Sequence, residues 1–102
     1  MGRISQAAAT AKGFGFTLRK NFGGKVYGLV GRGGVPQFRR RKSQASSIAK
    51  RVRAIGANAR IASSKKARLG GTFYAVYARH TAKSRAAVKR TGRKVLVRKR
   101  RK

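Results

Sequence analysis

The sequence predicts a small, irregular, mainly α-helical fold. Three observations predict it: two stretches in which apolar residues recur at helical spacing opposite lysines and arginines, a glycine- and aromatic-rich segment ahead of them, and a scarcity of large apolar side chains. Two amphipathic basic helices are expected at about 46–69 and 72–91, a β-hairpin at about 14–30, and a wholly basic tail at the end. Ile, Leu, Val and Phe make up 21 of the 102 residues, close to the ~20% at which a highly charged chain is expected to lack a stable core. Order is therefore expected to depend on a partner that neutralises the charge, and the free chain in dilute buffer is expected to be largely unfolded.

Residues 1–38 form a first segment with nine of the thirteen glycines, five of the eight aromatics and only six basic residues. Ser5 to Lys12 reads as a short alanine-rich helix ended by Gly13, because glycine is poor inside a helix and good just beyond it. Phe14, Phe16 and Leu18 alternate with Gly15 and Thr17, and Val26, Gly28 and Val30 with Tyr27 and Leu29. Period two indicates strands, and Asn21-Phe22-Gly23-Gly24 supplies the turn. Gly31 to Pro36 reads as a flexible link.

Residues 39–102 form the second, basic helical segment, although the two segments are expected to make one unit. It opens with Arg39-Arg40-Arg41-Lys42; Ser43, Ser46 or Ser47 can cap the helix that follows and Gly70 can end it. On a helical wheel Ile48, Val52, Ile55, Ala59 and Ala62 share one sector while Lys50, Arg53, Arg60 and Arg68 lie opposite, with Gly56 and Asn58 weakening the middle and Ile61 breaking the pattern. The second helix has Thr72 as a candidate cap and Gly92 as a stop. Phe73, Val76, Tyr77, His80, Ala87 and Val88 share one side of it, and Arg79, Lys83, Arg85, Lys89 and Arg90 occupy the rest. Phe73 to Ala78 also alternates as a strand does.

Charge narrows the function classes. The chain has 29 lysines and arginines, no aspartate or glutamate, a formal charge of +29 and a pI near 12.0. With no internal acid to pair, the counter-charge must come from a polyanion; duplex nucleic acid carries one phosphate charge per ~1.7 Å and releases condensed counterions when cations replace them. The candidate phosphate-contacting residues are Arg32, Arg39, Arg40, Arg41, Lys42, Lys50, Arg53, Arg60, Arg68, Arg79, Lys83, Arg85, Lys89 and Arg90, with Arg98, Lys99, Arg100, Arg101 and Lys102 of the tail. Arginine outnumbers lysine, 17 to 12, which favours bidentate phosphate contacts. Phe14, Phe16, Phe22, Tyr27 and Phe38 can either stack on unpaired bases or pack a small core, and their spacing favours the core.

Catalysis is not expected. Without carboxylates there is no acid–base pair, no partner to orient a catalytic histidine and no oxygen cage for a hard cation; without cysteine there is no thiolate chemistry; and one histidine, His80, cannot build a zinc site. No cofactor, metal or small-molecule substrate is expected. Gly13 to Leu18 lacks the third glycine of the dinucleotide fingerprint, and Gly28 to Gly34 is not followed by Lys-Ser or Lys-Thr, so neither is a nucleotide loop. No apolar run approaches the ~20 residues that span a bilayer, so membrane insertion is not expected.

In composition the chain resembles the small acid-free proteins that condense genomes, such as viral core proteins and protamine-like proteins, without the long arginine runs of the latter; it is also similar to the small basic proteins of ribosomes. No zinc finger, basic zipper or RNP-like aromatic signature is present, so backbone and shape should be recognised instead of sequence. The expectation is a structural protein that binds DNA or RNA without sequence preference and packages a genome, in a virion interior or nucleoprotein particle beside other protein chains. A ribosomal protein, cytosolic or organellar, is the alternative, and a cationic membrane-active protein a second one. Arg40-Arg41-Lys42-Ser43 additionally fits the pattern that basophilic kinases accept.

Overall fold

The computed structural model describes residues 6–32, 35–65 and 70–92. Their architecture is a curled, four-stranded antiparallel sheet with helices around it, which overturns the mainly helical expectation. In chain order the elements are α1 (Gln6–Gly13), β1 (Arg19–Phe22), β2 (Lys25–Leu29), the short β3 (Gly31–Arg32) and β4 (Val35–Pro36), α2 (Lys42–Ala54), β5 (Asn58–Ser64), β6 (Phe73–Arg79) and α3 (Ala82–Thr91). The main sheet runs β1-β2-β6-β5; β3 and β4 pair with each other apart from it.

The hairpin is shorter than the 14–30 expected: β1 and β2 meet around Gly23 and Gly24, whose φ values of 58° and 82° give the turn the twist that flanking strands require. Phe14 and Phe16 precede it, after α1 has closed through Phe16 N–H to Ala11 C=O. The segment expected to be a flexible link is the β3–β4 excursion. Val30 leaves β6 there, its N–H bonded to Val76, and the chain rejoins β6 at Arg39, which exchanges backbone hydrogen bonds with Tyr74 at 2.9 and 2.7 Å.

The helix expected at about 46–69 is half helix and half strand. α2 begins earlier, at Lys42, with Arg41 and not a serine at the N-cap, and ends at Ala54. Gly56, at φ 96°, turns the chain, and β5 follows. A helix through this region leaves Ile61 opposite the apolar stripe, whereas a strand sets Ala59 and Ile61 on one face, opposite Ala78 and Val76 of β6. The helix expected at about 72–91 is likewise divided. Phe73–Arg79 is the central strand, buried on both faces, and α3 starts at a capping box: Thr81 accepts from Ser84 N–H and Ser84 Oγ accepts from Thr81 N–H. Thr72, the expected cap, precedes the strand. Gly92, at φ 70°, ends α3 in the left-handed conformation that glycine adopts without strain.

β6 divides the core in two. Its odd residues Phe73, Ala75 and Tyr77 join Ala11, Phe16, Tyr27, Leu29 and Ala62 in an aromatic cluster, against which Phe14, Leu18, Phe22 and Phe38 pack. Its even residues Val76 and Ala78 join Val30, Ala57 and Ala59 under the apolar side of α2, namely Ala45, Ile48, Ala49 and Val52. Alanines serve well on this second side because a helix laid on a sheet needs small residues to come close. The Tyr77 hydroxyl donates to Thr17 C=O at 2.6 Å and accepts from Thr17 N–H at 3.3 Å, fastening the segment between α1 and β1 to the centre. Burial raises the Tyr77 pKa above its ordinary 10.0, against the opposing pull of those bonds. No buried side-chain nitrogen or oxygen lacks a hydrogen-bond partner among the described residues.

Candidate nucleic-acid interface

The sheet and helices fix where each cation stands. Arg40, Arg41 and Lys42 are exposed at the entry to α2, with Arg39 half-buried because its backbone is tied to Tyr74. Lys50 projects from α2, Arg60 from β5, Arg79 from the end of β6, and Lys83, Arg85, Lys89 and Arg90 from α3, all exposed. Arg32 lies in β3. Arg68 and the tail Arg98, Lys99, Arg100, Arg101 and Lys102 lie outside the described residues. The expected cationic face of one long helix is thus split: Lys50 and Arg53 stay on α2, and Arg60 moves to the aromatic side of the sheet.

Among the described residues, three cations rest on aromatic rings. The Arg40 guanidinium carbon lies 4.8 Å from the Phe73 centroid, and Lys20 Nζ and the Arg60 guanidinium carbon each lie 5.7 Å from the Phe22 centroid. A ring face attracts a cation without cancelling its charge, so these groups are positioned yet still available to phosphate. Arg53 is used differently: its Nη2 donates to Ala59 C=O at 3.0 Å, joining the end of α2 to β5.

The rings themselves are turned inward. Phe14 stacks on Phe38 at 4.4 Å and meets Phe73 edge-on at 4.8 Å; Phe16 stacks on Phe38 at 5.3 Å; Phe22 meets Tyr27 edge-on at 5.2 Å. Of the two roles open to them, packing is the one seen: Phe16 and Tyr27 are buried in the core, and the half-buried Phe14, Phe22 and Phe38 pack against it. Val26, 55% exposed, is the large apolar side chain that faces solvent among the described residues.

Sequence reasoning missed Lys12, Arg19, Lys20, Lys25, Arg51 and Lys65, all exposed. Runs and helical faces were the signals sought, and the hairpin cations Arg19, Lys20 and Lys25 form neither. The signal was there in period two: Lys20 and Phe22 are two apart on one strand, which puts charge and ring on the same face.

His80 sits between β6 and α3 with Nδ1 2.8 Å from Oγ of the fully buried Ser84, whose hydroxyl also contacts Thr81 C=O at 3.1 Å. Burial first, and then the nearby Arg85 guanidinium, hold the imidazole pKa below its ordinary 6.5. The group therefore reads as a neutral structural histidine at the start of α3. Among the described residues no three metal-ligating side chains come together, and no helix is long and apolar enough to cross a membrane.

The arrangement as a whole is a small folded body whose described lysine and arginine side chains are exposed, Arg39 half-buried, with no carboxylate side chain in the sequence to cover any of them. No protein-family model, no curated protein and no solved structure matches the chain.

Proposed function

We propose that this chain is a structural protein that binds nucleic acid through its phosphate backbone, without reading base sequence, and condenses or packages a genome inside a virion or nucleoprotein particle. The observation that carries the reading is the exposed, uncompensated cation set spread over β1, β2, α2, β5 and α3. Such a surface gains by replacing condensed counterions along a polyanion. The inward-turned aromatics support backbone contact over base stacking, since stacking needs an open ring face. The proposal assigns no catalysis, cofactor or small-molecule substrate.

Recovery of the protein with its bound nucleic acid, followed by measurement of chain-to-nucleotide stoichiometry, tests it. Packaging predicts many chains per nucleic acid, on the scale of one per roughly 15 base pairs if all 29 charges engage. One chain per particle would replace packaging with a fixed place in a ribonucleoprotein such as the ribosome. Absence of bound nucleic acid, with no affinity for added DNA or RNA, would overturn the proposal outright.

A further inference from the structure

We infer that one copy of this chain holds two separate nucleic-acid backbones at once, one on each side of its central sheet. This rests on the phosphate-binding reading above and goes beyond it by assigning two surfaces and a bridging activity.

The first surface is on the aromatic side. Lys20 and Arg60 converge on the Phe22 ring from the two outer strands of the sheet, and Arg40 lies over Phe73 of the same cluster. All three are exposed. Their ring contacts restrict them without neutralising them, so less freedom is lost when a phosphate is bound.

The second surface is the outer side of α2. Ala45, Ile48, Ala49 and Val52 face the sheet, so a rotation of about 100° per residue turns Ser43, Ser47, Lys50 and Arg51 away from it. Lys50 and Arg51 are exposed there. Between the two surfaces stand the helix, the sheet and the aromatic cluster.

That thickness decides what the two surfaces can do. A helix alone is about 10–12 Å across, more than the ~8 Å screening length of the physiological salt solution around the body. Two backbones on opposite sides are thus screened from each other while each keeps its own cations. A body that is basic on one side only would neutralise a single backbone; this one can draw two together. The occupant is a phosphate polymer and not an anionic lipid surface, because a sheet of lipid meets one side of a rigid body at a time, whereas nucleic acid can reach both.

The test is energy transfer between two short DNA duplexes of unrelated sequence, one carrying a donor dye and one an acceptor, mixed with the full chain; RNA duplexes form a parallel arm that separates the two sources of phosphate. Two variants remove one surface each, Lys20→Gln with Arg40→Gln and Arg60→Gln for the first and Lys50→Gln with Arg51→Gln for the second, and circular dichroism checks that both keep the fold. The wild type is expected to give transfer, and each variant to lose it when compared at equal occupancy of single duplexes. An equimolar mixture of the variants is expected to stay without transfer. Transfer retained by either variant, or restored in the mixture through association of two copies, overturns the inference. Binding by the wild type without transfer overturns it too and leaves the proposed function standing; failure of the wild type to bind any duplex overturns both.

Discussion

Arg60 and Phe22 lie on the two outermost strands of the sheet, yet the Arg60 guanidinium carbon is 5.7 Å from the centre of the Phe22 ring. With β2 and β6 between them, a flat sheet would hold those strands about 14 Å apart at ~4.8 Å per step. The contact therefore marks how strongly the sheet curls toward its aromatic side. It also explains how a chain without acids fixes an arginine at a defined place.

Arg60→Ala is expected to cost little stability, about 0.5–1 kcal/mol, which is the size of an exposed cation–ring contact. Its effect on binding should be clearer: the slope of log affinity against log salt is expected to fall by about 1, the loss of one phosphate contact. Urea unfolding and duplex titrations at several salt concentrations check the two parts.

Binding as a whole should be strongly salt-dependent and insensitive to sequence. If six to ten phosphate contacts form, affinity is expected to fall by roughly 10³ to 10⁵ between 50 and 200 mM salt, with unrelated duplexes behaving alike. A salt-insensitive interaction that prefers one sequence is the outcome that contradicts the proposed function.

Stability should fall on the acid side because of His80. Its folded pKa lies below the ordinary 6.5, so above that value neither state holds the proton and stability is complete. As pH drops, the unfolded chain is protonated first, and stability is lost progressively as pH falls through the folded value. No aspartate or glutamate is present to blur the effect. Thermal unfolding followed from about pH 7.5 to 5 should show the decline in the wild type and not in His80→Gln.

Gly56→Ala should loosen the junction between α2, β5 and α3. Gly56 stands at φ 96°, its carbonyl accepts from Thr81 Oγ1, and an added Cβ would come within 2.8 Å of the Lys83 side chain. The contact reaches Lys83 Cβ at 3.0 Å, which is fixed to α3, so the clash adds to a backbone strain of about 1–2 kcal/mol. A lower urea midpoint with an unchanged slope, together with faster hydrogen exchange in α3, is the expected result.

Phosphoserine at Ser43 should weaken nucleic-acid binding. Ser43 is exposed in the first turn of α2, directly after Arg40, Arg41 and Lys42, at an N-terminus that has no side-chain cap and no acidic residue. A phosphate there adds about −1.5 to −2 charges that engage the same cations. Duplex titration of the phosphorylated chain checks this; unchanged affinity and salt slope would mean that the Arg39 to Lys42 block does not contact phosphate.

The parts of the fold legible in the sequence were those set by local chemistry: the Gly23-Gly24 turn, the short alanine helix and the stop at Gly92. What was not legible depends on distant partners. Ala59 and Ala62 match a helical stripe begun at Ile48 and match a strand equally well; β6 decides, because it buries Ala59 and Ile61 together. Ile61 as the residue left over was the available clue. Phe73 to Ala78 is open to both a helix and a strand; with both faces covered the apolar residues fall on each, so helical periodicity is a poor guide and the strand alternation is the better one. For the candidate interface, the runs of charge were plain to read, but the cations on Lys20 and Lys25 emerge as a surface only when the hairpin is folded.

The bond between Tyr77 and Thr17 joins residues sixty apart in the chain. Closing a loop of that length carries an entropic cost of roughly 3.5 kcal/mol, and here it must be closed by a polymer that repels itself along its whole length. Pairing of β2 with β6 closes a loop of similar size, so an encounter between like-charged segments is expected to slow refolding. Added salt should accelerate it, and a polyanion should do so at far lower concentration by gathering both segments along one strand. On the proposed function, the cargo of this protein would then also act as the template on which it matures.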